Sequence, residues 1–360
     1  MPLGDTSRYH AGAYEWGDIQ VTTPKTSHAR GLLLIGLLAG TFGSFAFATE
    51  SKFTIFDPTG SIATFPVSIN NSGVIAGYYE DGNNTPHGFA RAADGTITPF
   101  DPSGSIGTYA SSVNDDGTIA GYYGLAGQQN YMGFVRSSDG TITTFSATTR
   151  AYGTFAYSIN NKGWIAGDWQ RRRGCCAYVR NPKGKITSFK VAQEKGTLTV
   201  AWGINISGAV AGDYLVSQNQ VDGFLRLPDG TITTFSPPGA INTQALSIND
   251  SDEVVGYYLD TQGSEHSFLR TDDGTITEFD PPGASGSDAH SINEKGETTG
   301  SFEDSSYVAH GYLRKTDGTF TTFDPKTSIG TYAFGINNKG TVVGSFYSTP
   351  YVYHGYVRNP

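Results

Sequence analysis

Between Thr243 and Asn249 a polar or small set (Thr243, Ala245, Ser247, Asn249) alternates with an apolar set (Leu246, Ile248), the period of two expected of a strand buried on one face. The segments that follow, SDEVVGYY, HSFLR and TITEFD, read as three more short strands. In six of seven copies of this unit a glycine stands three residues after the Asn (Gly73, Gly117, Gly163, Gly208, Gly296, Gly340), where it suits the left-handed corner of a hairpin loop. Asp-Gly steps such as Asp273-Gly274 suit the next reversal. The fifth copy has Asp252 at the first corner, a residue that accepts the left-handed region less readily than glycine.

The asparagines that mark the copies are Asn70, Asn114, Asn160, Asn205, Asn249, Asn293 and Asn337, at successive spacings of 44, 46, 45, 44, 44 and 44 residues. Four short strands and their turns fill such a period, and each sheet must stack on its neighbours to bury its faces. The expected fold is therefore all-β: a seven-bladed β-propeller of four-stranded antiparallel blades. Crossovers rich in Pro and Gly, such as 280–288, lead from the outer strand of one blade to the inner strand of the next. The last copy stops at Arg358 without a fourth strand, whereas 53–57 is a spare one. This N-terminal strand is expected to complete the last blade and close the ring, removing free sheet edges.

The pattern S-I-N-x-x-G-x-I-x-G-Y-Y, followed by H-G-F-x-R and D-G-T-I-T-x-F-D-x-P-G, resembles the HAF repeats of secreted bacterial proteins. The resemblance spans 49–360 and implies an extracellular repeat protein. It implies no particular activity and assigns no site residue.

The first 48 residues differ in kind. Lys25, His28 and Arg30 precede the apolar run 31–48, which ends in Ala46-Phe47-Ala48, the pattern of a signal peptide cleaved after Ala48. An uncut membrane anchor fits less well, because Gly40, Thr41, Gly43 and Ser44 interrupt the run. The expected product is one propeller domain, 49–360, secreted to the periplasm or medium as a monomer, with no membrane insertion after cleavage. Its formal charge stays at −9, since Arg8, Lys25 and Arg30 leave together with Asp5, Glu15 and Asp18. That acidity argues against nucleic acid and anionic membranes as partners. Cys175 and Cys176 are the only cysteines, and neighbours join only through a strained eight-membered ring, so two unlinked thiols are expected.

Comparing the copies with one another separates scaffold from site. A position filled alike throughout packs or turns; one that departs is free for a ligand. The seven arginines from Arg91 to Arg358 and the phenylalanines of TITxF, Phe235 and Phe279 among them, belong to the scaffold, the arginines bonding loop carbonyls or turn aspartates. His87, His266, His310 and His354 occupy equivalent places on different blades, too far apart to share one metal ion, so no metal site is expected. The stretch 80–84 is rich in oxygen ligands of the kind Ca²⁺ takes, but its spacing matches no Ca²⁺ loop, and no cofactor is expected.

Departures gather on the top face, formed by the crossovers and the loops between second and third strands. Trp169, Arg171 and Arg172 lie together there, and Trp202, Asp288 and His290 lie near the axis. Loops on a rigid scaffold are where binding groups usually sit, and mixed Tyr, Asn, Gln and Asp suit sugar hydroxyls and C–H faces. The leading expectation is a binding module for an extracellular glycan or surface protein, with Trp169, Arg171, Arg172, Asp288, His290 and Trp202 as its contacts. A second is a hydrolase or lyase acting on a polysaccharide, with Asp288 and His290 as catalytic acid and base at the mouth of the axis. A third is a passive structural or adhesive ring.

Overall fold

The computed structural model describes residues 53–126, 130–171, 174–192, 197–217, 220–349 and 352–360. The leader and Arg172 fall outside them. Among the described residues every regular element is a strand. In repeat 5 the strands are Asn242–Ile248, Val254–Leu259, Glu265–Arg270 and Ile276–Phe279, paired in that order as an antiparallel meander. The other repeats follow the same plan, except that in repeat 7 the fourth place is taken by Phe53–Phe56, antiparallel to Val352–Arg358 with Phe53 opposite Arg358 and Phe56 opposite Gly355. Phe56 is buried there, and Phe53 packs against Phe323 and Tyr356.

First strands are neighbours from one repeat to the next, Ser61–Ile69 touching both Ser105–Val113 and Gly330–Ile336, which makes them the innermost layer. Their period of two holds only up to the residue three before the Asn. At that place every first strand carries a bulge, between Ala245 and Ser247 in repeat 5 and at the equivalent step elsewhere. The extra residue is unpaired and re-aimed, so Ala245 and Ile248 are buried while Leu246 and Ser247 are only half-buried.

The repeat asparagine does two jobs that explain its choice over aspartate. Its Oδ1 accepts from the backbone N–H groups of the turn, as Asn70 does from Ser72 and Val74. Its Nδ2 donates to the carbonyl of the next repeat's asparagine, at 2.7 to 3.3 Å, and the circuit returns from Asn337 to Asn70. A carboxylate could not donate that second bond. Asp252 does adopt the left-handed corner, at φ 60°, and its carboxylate accepts a further bond from Asn205 Nδ2 at 2.6 Å.

The arginines join neighbouring repeats as well as lying within electrostatic reach of their turn aspartates, as Arg91 does of Asp94 and Arg270 of Asp273. Each guanidinium lies over the fourth-strand phenylalanine of the preceding sheet at 4.5 to 5.2 Å, Arg270 over Phe235 and Arg314 over Phe279, for example. Five also donate from Nη1 to the carbonyl of the next residue, at 3.1 to 3.5 Å. Phe279 is buried, but Phe235 is only half-buried.

Each of the four histidines has its own partner. Nδ1 of His87, His266, His310 and His354 lies 2.7 to 2.8 Å from Asp101, Asp280, Asp324 and Asp57, the aspartates that follow the fourth strand of the same sheet. Three of those aspartates also accept from a hydroxyl on the next repeat's first strand: Asp57 from Thr64, Asp280 from Ser287 and Asp324 from Thr331. The histidine is thus a clasp that fixes the crossover. Asp81 in the stretch 80–84 spends one oxygen on the backbone N–H groups of Asn83 and Thr85 and turns the other toward His87. Among the described residues no three His, Cys, Asp or Glu side chains converge as metal ligands.

Candidate functional site at the mouth of the axis

Two positions on each first strand and one on each second strand face inward at the top. Five and three residues before the Asn stand, in repeats 3 to 7, Phe155 and Tyr157, Val200 and Trp202, Gln244 and Leu246, Asp288 and His290, and Tyr332 and Phe334. Opposite the first of these, between the second-strand glycine and its aromatic, stand Tyr78, Tyr122, Asp168, Asp213, Tyr257, Ser301 and Ser345. The glycine is required for this pairing: a Cβ on Gly167 would lie 1.9 Å from the carbonyl oxygen of Phe155.

Rings at these positions, joined in repeat 7 by Tyr347 and Tyr353 from the top of its second and third strands, pack in an arc. It runs from Trp202 through Tyr157, Phe155, Tyr122, Tyr109, Tyr78, Phe65, Tyr353, Tyr347 and Tyr332 to Phe334, with successive centroids 4.5 to 6.5 Å apart. His290 abuts its end, 5.5 Å from Phe334. Between Trp202 and His290 stands repeat 5, with Gln244, Leu246 and Tyr257 at its inward positions, and acids flank it. On one side Trp202 donates its indole N–H to Asp213. On the other, Asp288 Oδ1 lies 3.4 Å from His290 Nε2 and accepts from the N–H of Ser301 at 2.8 Å.

Burial pushes the Asp213 carboxyl up to about 7, the bond from Trp202 opposing and the charge of Asp168 adding to the rise. For His290 burial works against protonation, but the charge and hydrogen bond of Asp288, with Glu265, outweigh it and hold the imidazole above its ordinary value. Tyr257, between the two sides, has its hydroxyl raised by burial and then by Glu265, Asp288 and Asp213, which places all three acids within electrostatic reach of one ring.

The six residues singled out from the sequence divide into two places. Trp202, Asp288 and His290 lie on the axial side, flanking repeat 5. Trp169 points the other way: it is buried, donates to Ser188 Oγ at 2.9 Å, and carries the exposed Arg171 over its ring at 4.7 Å. Arg172 is outside the described residues. Sequence reasoning passed over Asp168, Asp213 and most of the arc because the place between glycine and aromatic read as unconstrained. Its occupants, three tyrosines, two aspartates and two serines, were the available signal.

No protein-family model and no curated protein matches the chain. Among solved structures it is similar to a virginiamycin B lyase from Staphylococcus aureus, with 15% identity and a TM-score of 0.59 over 86% of this chain and 100% of the lyase. It is also similar to the β-propeller domain of the Trilobed protease from Pyrococcus furiosus, with 9% identity and a TM-score of 0.59 over 83% of this chain and 95% of that domain. The fold is that of a β-propeller. The Pyrococcus domain has an open velcro topology, whereas here Phe53–Phe56 pairs with Val352–Arg358.

Proposed function

We propose that the protein is a secreted seven-bladed propeller of the HAF-repeat type that binds an extracellular glycan through the top mouth of its axis. The observation that carries this reading is the arc of packed rings from Trp202 to Phe334, in which Tyr122, Tyr157 and Phe65 are buried while Trp202, Phe155, Tyr109, Tyr78 and Tyr332 are only half-buried. Ring faces stack on the C–H patches of sugars, and the carboxylates and imidazole flanking repeat 5 suit hydroxyl groups. Seven blades are supported by the asparagine circuit that returns to Asn70 and by the strand pairing at the chain ends. Secretion is supported by the signal-peptide pattern of 25–48. Trp202, Asp288 and His290 are the principal contacts, with Arg171 and Arg172 serving ligands that extend over the outer loops. The test is a glycan array probed with the purified chain. Saturable binding that Trp202→Ala abolishes and Arg171→Ala only weakens supports an axial site. No saturable binding, or equal binding by Trp202→Ala, refutes it.

One observation favours the second reading, a polysaccharide hydrolase or lyase. Asp213, held largely protonated up to about pH 7, and the Asp288–His290 pair sit in contrasting environments on either side of Tyr257, the kind of division that separates acid from base in catalytic sites. A histidine-to-alanine variant of the virginiamycin B lyase, which shares the fold, is catalytically inactive. Polysaccharide turnover in the same screen, lost in His290→Gln with binding retained, decides for this reading. A passive ring predicts neither binding nor turnover.

A further inference from the structure

Cys175 and Cys176 lie at the top end of the third strand of repeat 3, Gly174–Arg180. Successive side chains of an extended strand point to opposite faces. Here both cysteines pack on one cluster, that of Trp169 and Tyr178, and their sulfurs are 2.6 Å apart. Gly174, which precedes them, has φ at 69°, a left-handed conformation that glycine adopts readily. The pair also stands where repeat 3 has lost its clasp: Cys176 occupies the histidine position and Lys190 the aspartate position.

We propose that Cys175 and Cys176 form a redox-modification site, a vicinal dithiol that a small-molecule disulfide oxidises to an eight-membered ring beside Arg171. Cys176, the more exposed, attacks one sulfur of the oxidant RSSR and releases one RSH, leaving a mixed disulfide. Cys175 then loses its proton and displaces the second RSH from Cys176. Two protein thiols and one RSSR give one ring disulfide and two RSH, so the protein loses two electrons and two protons. Burial, with Cys176 beside it, pushes the Cys175 thiol up to about 12, which suits it only to the second, intramolecular step, where proximity makes up for a small thiolate fraction. Trp169 pairs with Cys176 across the strands and carries Arg171 on its ring, so the state of the ring reaches an exposed cation of the top face. In the structure both thiols are free, as expected from ring strain, and the proposal concerns what an oxidant makes of them.

The test equilibrates the purified full chain in glutathione buffers of stepped ratio, quenches it with a maleimide under denaturing conditions, and weighs it intact. The expected result is two alkylated thiols in reducing buffer and none in oxidising buffer, with no singly alkylated species between. The peptide carrying both cysteines should be lighter by two hydrogens. Cys175→Ser should stop at a stable glutathione adduct on Cys176, the trapped first step. Two free thiols in the most oxidising buffer, a stable glutathione adduct on the parent, or a disulfide between two chains would overturn the proposal.

Discussion

Replacing Asp213 with asparagine should make the protein more stable above neutral pH and leave it nearly unchanged in acid. Asparagine keeps the Oδ1 acceptor for the indole N–H of Trp202 and removes the charge. The parent carboxyl moves from 3.8 in the unfolded chain to about 7 in the fold. Because the folded value is the higher, the fold favours the protonated form. No cost arises below 3.8; it grows as pH rises and is complete once pH passes about 7. A rise of this size corresponds to about 4 kcal/mol at most, and to about 2 kcal/mol once solvent screening at this partly exposed residue is allowed for. A gain of that order shifts the Tm of a domain this large by about 3 °C. The assay compares urea and thermal unfolding of parent and variant at pH 5 and pH 8, and the difference between the two proteins isolates Asp213 from every other titrating group. A variant that tracks the parent at both values, or gains more at pH 5, would show that Asp213 is not held in this way.

Three further outcomes follow from the scaffold. In His266, burial opposes protonation, but Asp280 and Asp260 outweigh it and raise the imidazole above its ordinary value. The clasp's contribution is therefore full below about 6.5 and fades as pH rises through the folded value, so His266→Ala should lower Tm more at pH 6 than at pH 8; equal losses would refute this. Deleting 53–57 removes the partner of Val352–Arg358 and the burial of Phe56, worth about 1.5–3 kcal/mol before the pairing is counted; calorimetry should show a lower Tm and light scattering should show association. Phe279→Ala should cost about 3–5 kcal/mol in chemical denaturation, and Phe235→Ala distinctly less, because only the first ring is fully buried.

The parts of the fold that every repeat must build were legible in the sequence. Corner glycines, the Asp-Gly steps and the even spacing of asparagines each answer a local requirement repeated along the chain, and strand order follows from them. The first-strand bulge was not legible, because one extra residue leaves the composition of the strand unchanged and only the pairing reveals it. The clasp was legible only in part. Its histidine and aspartate stand 14 residues apart in His87 and Asp101 but 297 apart in His354 and Asp57, so no window of sequence contains every pair. Joint occurrence does disclose it: repeats with histidine have the aspartate, and repeats 2, 3 and 4 have Met132 with Ser146, Cys176 with Lys190 and Asp222 with Ser236. Asp213 was hidden for another reason, since its protonation depends on burial and on Asp168 in the neighbouring repeat.

That division between repeats bears on where a ligand would act. In repeats 1, 5, 6 and 7 a histidine and an aspartate fasten the crossover to the third strand. In repeats 2, 3 and 4 the crossover is tied instead to the next repeat's first strand, Ala147 N–H to Thr154, Val191 N–H to Thr199 and Ser236 with Thr243. The same run of adjacent repeats carries Tyr122, Tyr157 and Trp202 of the arc, the carboxyls of Asp168 and Asp213, and the paired cysteines. Rotation about the axis separates opposite repeats, so a ligand seated off-centre meets one sector of the ring, and only variation confined to adjacent repeats can serve it together. Under the proposed reading that sector is repeats 4 to 6, where Trp202 and Asp213 of an unclasped repeat and Asp288 and His290 of a clasped one flank repeat 5, so the clasp fixes the crossovers without deciding what the mouth recognises.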